Sequence, residues 1–141
     1  MAQTVETHRH PAWPDSPPIQ DIRFENRERA QVLLGVGMAG NSYYSVGVQS
    51  NLKDEIKFEF ACHVKEQPEF IGVISSIPQM SLELTEKVNE TISQDERSRI
   101  EFKSTSKPDN PQSRSELIVT PKTTYNQSDS QTLQWGFSIR F

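Results

Sequence analysis

Three of the six glycines, Gly35, Gly37 and Gly40, have the G-x-G-x-x-G spacing that lets a backbone approach a dinucleotide's pyrophosphate. Acidic residues, Asp54 and Glu55, follow near the distance at which such a site holds a ribose hydroxyl. That chemistry also needs a helix opening at the third glycine, so that its N–H groups face the phosphate. Here Asn41-Ser-Tyr-Tyr-Ser-Val-Gly-Val48 follows, rich in β-formers and interrupted by another glycine. The three glycines are therefore expected to mark strand twist, a close backbone approach and a hairpin turn. No cofactor is expected.

The rest of the reactive inventory is short. His8 and His10 offer two metal ligands where a site needs three or four. Cys62, the only cysteine, falls on the apolar side of an alternating run and reads as a small core residue. His63 falls on the opposite side, beside no evident nucleophile, and Asp95-Glu96 lies in a polar stretch that reads as solvated charge. No serine-centred glycine motif, metal-ligand spacing or phosphate-binding lysine occurs. No catalytic, cofactor or metal-ligating residue is assigned, and the chain is expected not to be an enzyme.

The elements that would position these residues show a period of two. Apolar residues recur at Ile56, Phe58, Phe60, Cys62 and Val64, and again at Leu133, Trp135, Phe137, Ile139 and Phe141. Strand side chains point alternately to opposite faces, so these runs describe strands with one dry and one wet face. Earlier, Ile22 and Phe24 suggest a short first strand. Val32, Leu34, Val36 and Met38 then lead through Gly40-Asn41 to Tyr44, Val46 and Val48, a hairpin signal. Glu55 to Val64 is the strongest strand, and Phe70 to Ser75 follows a turn at Pro68. These connections are too short for crossover helices, which makes neighbouring strands antiparallel.

Residues 81–94 fit either a helix or a strand, because Glu, Lys and Leu favour the first while β-branched residues dilute that preference. Ile100 and Phe102 suggest a strand, and residues 107–115 a polar loop. Residues 117–125 and 133–141 are expected to form a last hairpin, with Pro121 placing its strand at an edge or a bulge. Residues 1–20 carry Pro11, Pro14, Pro17 and Pro18 around Trp13 and are expected to be an extended or disordered arm.

At 141 residues one domain is the natural expectation, an arm over 1–20 followed by a β domain over 21–141. Only 33% of residues are hydrophobic, so a thin core, or burial against partner chains, is implied. The net charge is −4 and no basic stripe appears, since Glu25 and Glu28 interrupt Arg23, Arg27 and Arg29; nucleic acid is not expected as a partner. No run approaches the length of a membrane-spanning helix, and no signal-peptide core is seen. A lone cysteine fits a reducing compartment, so the cytoplasm or the interior of an assembled particle is expected.

Two resemblances can be drawn. Gln134-Trp-Gly136-Phe-Ser-Ile139-Arg-Phe141 resembles the terminal signature of outer-membrane β-barrel proteins, although a core strand acting as a C-terminal anchor accounts for it as well. Residues 18–77 resemble the sheet of SecB-type export chaperones. The residues concerned are Asp21-Ile-Arg-Phe24-Glu, Val32 to Ala39 with Tyr43 to Leu52, and Ile56 to Val64 with Phe70 to Ile77. The second half departs from that family, lacking its long amphipathic helix. The resemblance implies a holdase that binds unfolded polypeptide on exposed apolar sheet surface.

The resulting expectation is a mostly β protein: a single antiparallel domain, as barrel, sandwich or strongly twisted sheet, with at most one or two short helices. Its expected role is non-catalytic, a protein-binding or assembly subunit of a homo-oligomer or multi-subunit particle. Trp13, Trp135, Phe137 and Phe141 are the candidate partner contacts, because large aromatics on an arm or an open strand anchor in a neighbour's groove. A SecB-like holdase is the alternative reading, ahead of a small barrel or an enzyme.

Overall fold

The computed structural model describes residues 13–51, 53–78, 92–94, 96–104, 114–126 and 130–140. The described residues form nine strands and no helix. A four-strand meander comes first: β1 (Asp21–Arg27), β2 (Ala30–Ala39), β3 (Ser42–Ser50) and β4 (Glu55–Val64). After it come β5 (Val73–Pro78), β6 (Ile92–Gln94), β7 (Ser98–Ser104), β8 (Arg114–Pro121) and β9 (Gln131–Arg140). They make two open antiparallel sheets, ordered β1-β2-β3-β4-β9-β6 and β5-β8-β7.

The meander's strands and turns follow the expected pattern, but β2 buries Gly35, Gly37 and Ala39 and leaves Leu34, Val36 and Met38 of its apolar run exposed. Gly40 takes a positive φ of 56° and with Asn41 turns the chain between Ala39 and Ser42, which lie opposite each other. Asn51 closes the next turn, its side-chain oxygen accepting the backbone N–H groups of Lys53, Asp54 and Glu55.

The expected C-terminal hairpin is not formed. β8 lies between β5 and β7 in the small sheet, whereas β9 pairs with β4 over ten residue pairs from Glu55–Arg140 to Val64–Gln131. The turn signal around residues 126–131 does not say which sheet the strand after it enters. The aromatic match between β4 and β9 selects that: Phe58 stacks on Phe137 at 4.8 Å, and Phe60 on Trp135 at 5.4 Å. Pro121 is likewise not in an edge strand. It is the last residue of the central strand β8, opposite Ser98, where the ladder ends and a missing N–H disrupts no interior pair. The strand expected over residues 70–75 begins later, at Val73. Of the ambiguous segment, Ile92–Gln94 is a short strand on β9, and residues 81–91 lie outside the described residues.

Both sheets share one core. Tyr44, Cys62, Val64, Leu133 and Trp135 project from the inner face of the large sheet, and Val119 answers from the small one, with Ile71 beside it. Trp13 joins them, only 5% exposed. Residues 13–20, part of the segment expected to be an extended or disordered arm, form a strap along the protein's own body. The Ile74 N–H donates to the Asp15 carbonyl (2.8 Å), and the Gln20 N–H to that of Val36 (2.9 Å). The strap crosses β2 where the glycines are: a Cβ on Gly37 would overlap the Pro18 carbonyl, and one on Gly35 would press on Ile19. That is the close approach expected of these glycines.

Candidate functional site

The exposed apolar residues fall at the β1 side of the large sheet. Every residue of β1 is exposed, and one flank of the strand pairs only with β2 while the other meets no described strand. Its side chains separate by face. Ile22 and Phe24, opposite Gly35 and Leu33, point to the inner face and are 53% and 78% exposed. Phe24 begins a registered row across five strands, continuing through Leu33, Val48, Phe58 and Phe137. The row runs from half-buried positions at its centre to a nearly bare phenyl ring at the edge. Burying a large apolar side chain is worth roughly 1.5–3 kcal/mol, so a phenylalanine left in water at a strand edge represents unused binding energy.

The outer face of β1 alternates in charge: Asp21, Arg23, Glu25 and Arg27. Arg27 bonds Glu25 at 3.0 Å, and Arg23 approaches Asp21 at 3.9 Å, both along the strand. Beside them, Leu34, Val36, Met38 and Tyr43 are exposed on the same face. Val36, Met38 and Tyr43, with Ala61, His63 and Thr132, line an open cleft of about 490 Å³. His63 Nδ1 meets Thr132 Oγ1 at 3.0 Å, and Lys65 Nζ stands 5.7 Å from the Tyr43 ring centre. Farther along, Glu59 is held below the usual carboxylate range, first by the hydrogen bond from Lys57 (3.0 Å) and then by Arg97 (3.3 Å).

Among the four expected partner contacts, Trp13 is 5% exposed and Trp135 fully buried, both within the chain's own core. Phe137 is half-buried in the aromatic row, and Phe141 lies outside the described residues, as do His8 and His10. Cys62 is buried, as its alternation implies. No cluster of three metal-ligating side chains occurs among the described residues, and no helix there is long and apolar enough to cross a membrane. Ile22 and Phe24 were legible as a strand but not as a surface. The signal was their strict alternation with charges, which leaves one side of β1 apolar.

The core carries a titratable pair whose behaviour is predictable. Burial pushes the Cys62 thiol up to about 11, and burial likewise raises the Tyr44 hydroxyl. Below about pH 9 the thiol is protonated both folded and unfolded, so it adds no pH dependence. Between about 9 and 11 the unfolded chain loses the proton while the folded one keeps it, so stability falls. The slope should be on the order of 1 kcal/mol per pH unit. Urea midpoints measured across that window should drop steadily; a level profile would mean that water reaches Cys62 in the folded state.

The fold and surface define an all-β protein of two open antiparallel sheets, in which one edge of β1 is unpaired among the described residues. No family model, curated protein or solved structure matches the chain. The resemblance of residues 18–77 to the chaperone sheet thus rests on the sequence pattern alone.

Proposed function

We propose that this chain is a non-catalytic protein-binding or assembly subunit, acting in the cytoplasm or within a multi-subunit particle, and that β1 is its contact surface. The observation carrying this reading is a seven-residue strand exposed along its whole length, with Phe24 78% exposed at its centre. An edge strand offers unpaired backbone N–H and C=O groups as a template for another chain. Ile22 and Phe24 add apolar anchors to that template, and aromatic anchors carry a large share of binding energy. The holdase reading draws on the same row of apolar side chains, with an unfolded client in place of a folded partner.

One experiment separates these readings. A photoreactive benzoylphenylalanine replaces Phe24, with a second variant labelled at the exposed Lys53 as control, in the cells that naturally make the protein. An assembly subunit gives one or a few adducts of discrete mass from position 24 and none from position 53. A holdase gives a broad distribution of adducts and suppresses aggregation of a reduced, unfolded client at stoichiometric amounts. If position 24 yields no more than position 53, β1 is not a contact surface and both readings fail.

A further inference from the structure

The exposed edge of β1 is self-complementary, and we infer that its occupant is β1 of a second copy of this chain, antiparallel about a two-fold axis at Phe24. This inference rests on the assembly reading and names its partner. The backbone supplies the first argument. The two-residue turn at Gly40-Asn41 sets Ala39 opposite Ser42, and the closing pair of such a hairpin exchanges both backbone hydrogen bonds. Alternate residues of β2 from Ala39 backward therefore bond to β3. Val36, Leu34, Val32 and Ala30 bond to β1 through Asp21, Arg23, Glu25 and Arg27. The N–H and C=O groups of Ile22, Phe24 and Asn26 are then the ones aimed at the open edge. In the proposed pairing Phe24 meets Phe24 of the second copy, and Ile22 meets its Asn26, each through a hydrogen-bonded pair.

Charge supplies the second argument. An axis at Phe24 sets Asp21 opposite Arg27, and Arg23 opposite Glu25, in both directions. Within the chain those four residues stand opposite Val36, Leu34, Val32 and Ala30, so their own sheet gives them no charged cross-strand partner. Moving the axis to Arg23 would set arginine against arginine and Asp21 against Glu25. Moving it to Glu25 would set carboxylate against carboxylate and Arg23 against Arg27. An axis at Ile22 would oppose only Asp21 and Arg23, and one at Asn26 would oppose Glu25 and Arg27 but set Arg23 against Arg29. Opposite charges across a strand pair are favourable and like charges unfavourable, so the axis at Phe24, which matches all four charges, is the most favourable register. On the inner face the same axis joins the two Phe24 rings and makes the apolar rows continuous. Isologous pairing of this kind closes at two copies. Charges also occur on edge strands merely to prevent pairing, but that purpose requires no sign pattern symmetric about a single residue.

The test is charge reversal with rescue, read as molar mass by light scattering and as a dissociation constant by sedimentation over a dilution series. Arg23→Glu and Glu25→Arg each set like charges opposite each other twice, and each should weaken the dimer by about tenfold or more. The double variant restores the opposition with signs exchanged and should return to within a few-fold of the original. All these positions are exposed, so the monomer fold is unaffected. A chain that stays monomeric up to millimolar concentration, or a double variant no better than either single one, overturns the inference. If a discrete adduct from position 24 to a different chain accompanies that result, self-pairing fails while the assembly reading stands. If position 24 yields no adduct, both fall.

Discussion

Trp135→Ala should cost about 3–5 kcal/mol of folding stability, the usual price of emptying a large aromatic site in a core. The indole is fully buried, stacks on Phe60, and packs in the cluster shared by both sheets. Its strand pairs with β4, Phe60 standing opposite Trp135, and the neighbouring Gly136 N–H donates to the buried Ser98 Oγ (2.6 Å), so the surrounding backbone is held in place and cannot collapse into the void. Against a total stability of about 5–15 kcal/mol, such a loss leaves a large unfolded fraction in mild denaturant. Trp135→Phe is expected to cost clearly less. The shorter ring retains the stack on Phe60, and it removes an indole N–H that has no acceptor among the described residues. Urea unfolding of the three proteins gives the ordering. Equal losses for both variants would show that a contact particular to the indole, rather than the cavity, sets the cost.

Trp13→Ala should be nearly as damaging, about 3 kcal/mol or more, although Trp13 lies outside every strand. Its side chain fills the same core from the strap and is the strap's one large buried anchor beside the backbone bonds of Asp15 and Gln20. The most direct readout is the Ile74 amide, whose hydrogen bond goes to the Asp15 carbonyl. Its hydrogen exchange should accelerate well before the amides of β3 and β4 respond, because opening the strap is a local event. Gly37→Ala should produce the same signature by another route, since the added carbon overlaps the Pro18 carbonyl and lifts the strap off β2. Deleting residues 1–18 should destabilise the domain to a similar extent. If Ile74 stays protected in Trp13→Ala, the strap is held by backbone contacts and the tryptophan is incidental.

The two effects show how differently the residues announced themselves. The alternation of Trp135 with Leu133 and Phe137 puts it in a strand, and its burial follows from that alternation. Trp13, flanked by Pro11 and Pro14, carries no periodic signal, and the composition around it describes only an extended or disordered arm. Proline prevents the segment from joining a ladder but says nothing about where one large ring will settle. The glycines at 35 and 37 did report that a backbone passes close by, without identifying which backbone.

The chain's local pattern determined the strands of the meander, their antiparallel direction, the hairpin at Gly40-Asn41 and the dry faces of β3 and β4, but not that of β2, where the strap covers the glycine face and the apolar run Leu34, Val36, Met38 is left exposed. These depend on neighbours two residues apart and on short turns, so a linear reading captures them. Also legible in one strand were the alternating charges of Asp21, Arg23, Glu25 and Arg27. Only the tertiary structure decided that β9 leaves β8 to pair with β4, that Pro121 ends a central strand, and that Trp13 belongs to the core. It alone left β1 at an open edge with Phe24 in solvent. Pairing between distant strands is chosen by side-chain fit across a sheet and by which surfaces remain to be covered, and neither quantity is local to any segment of the chain.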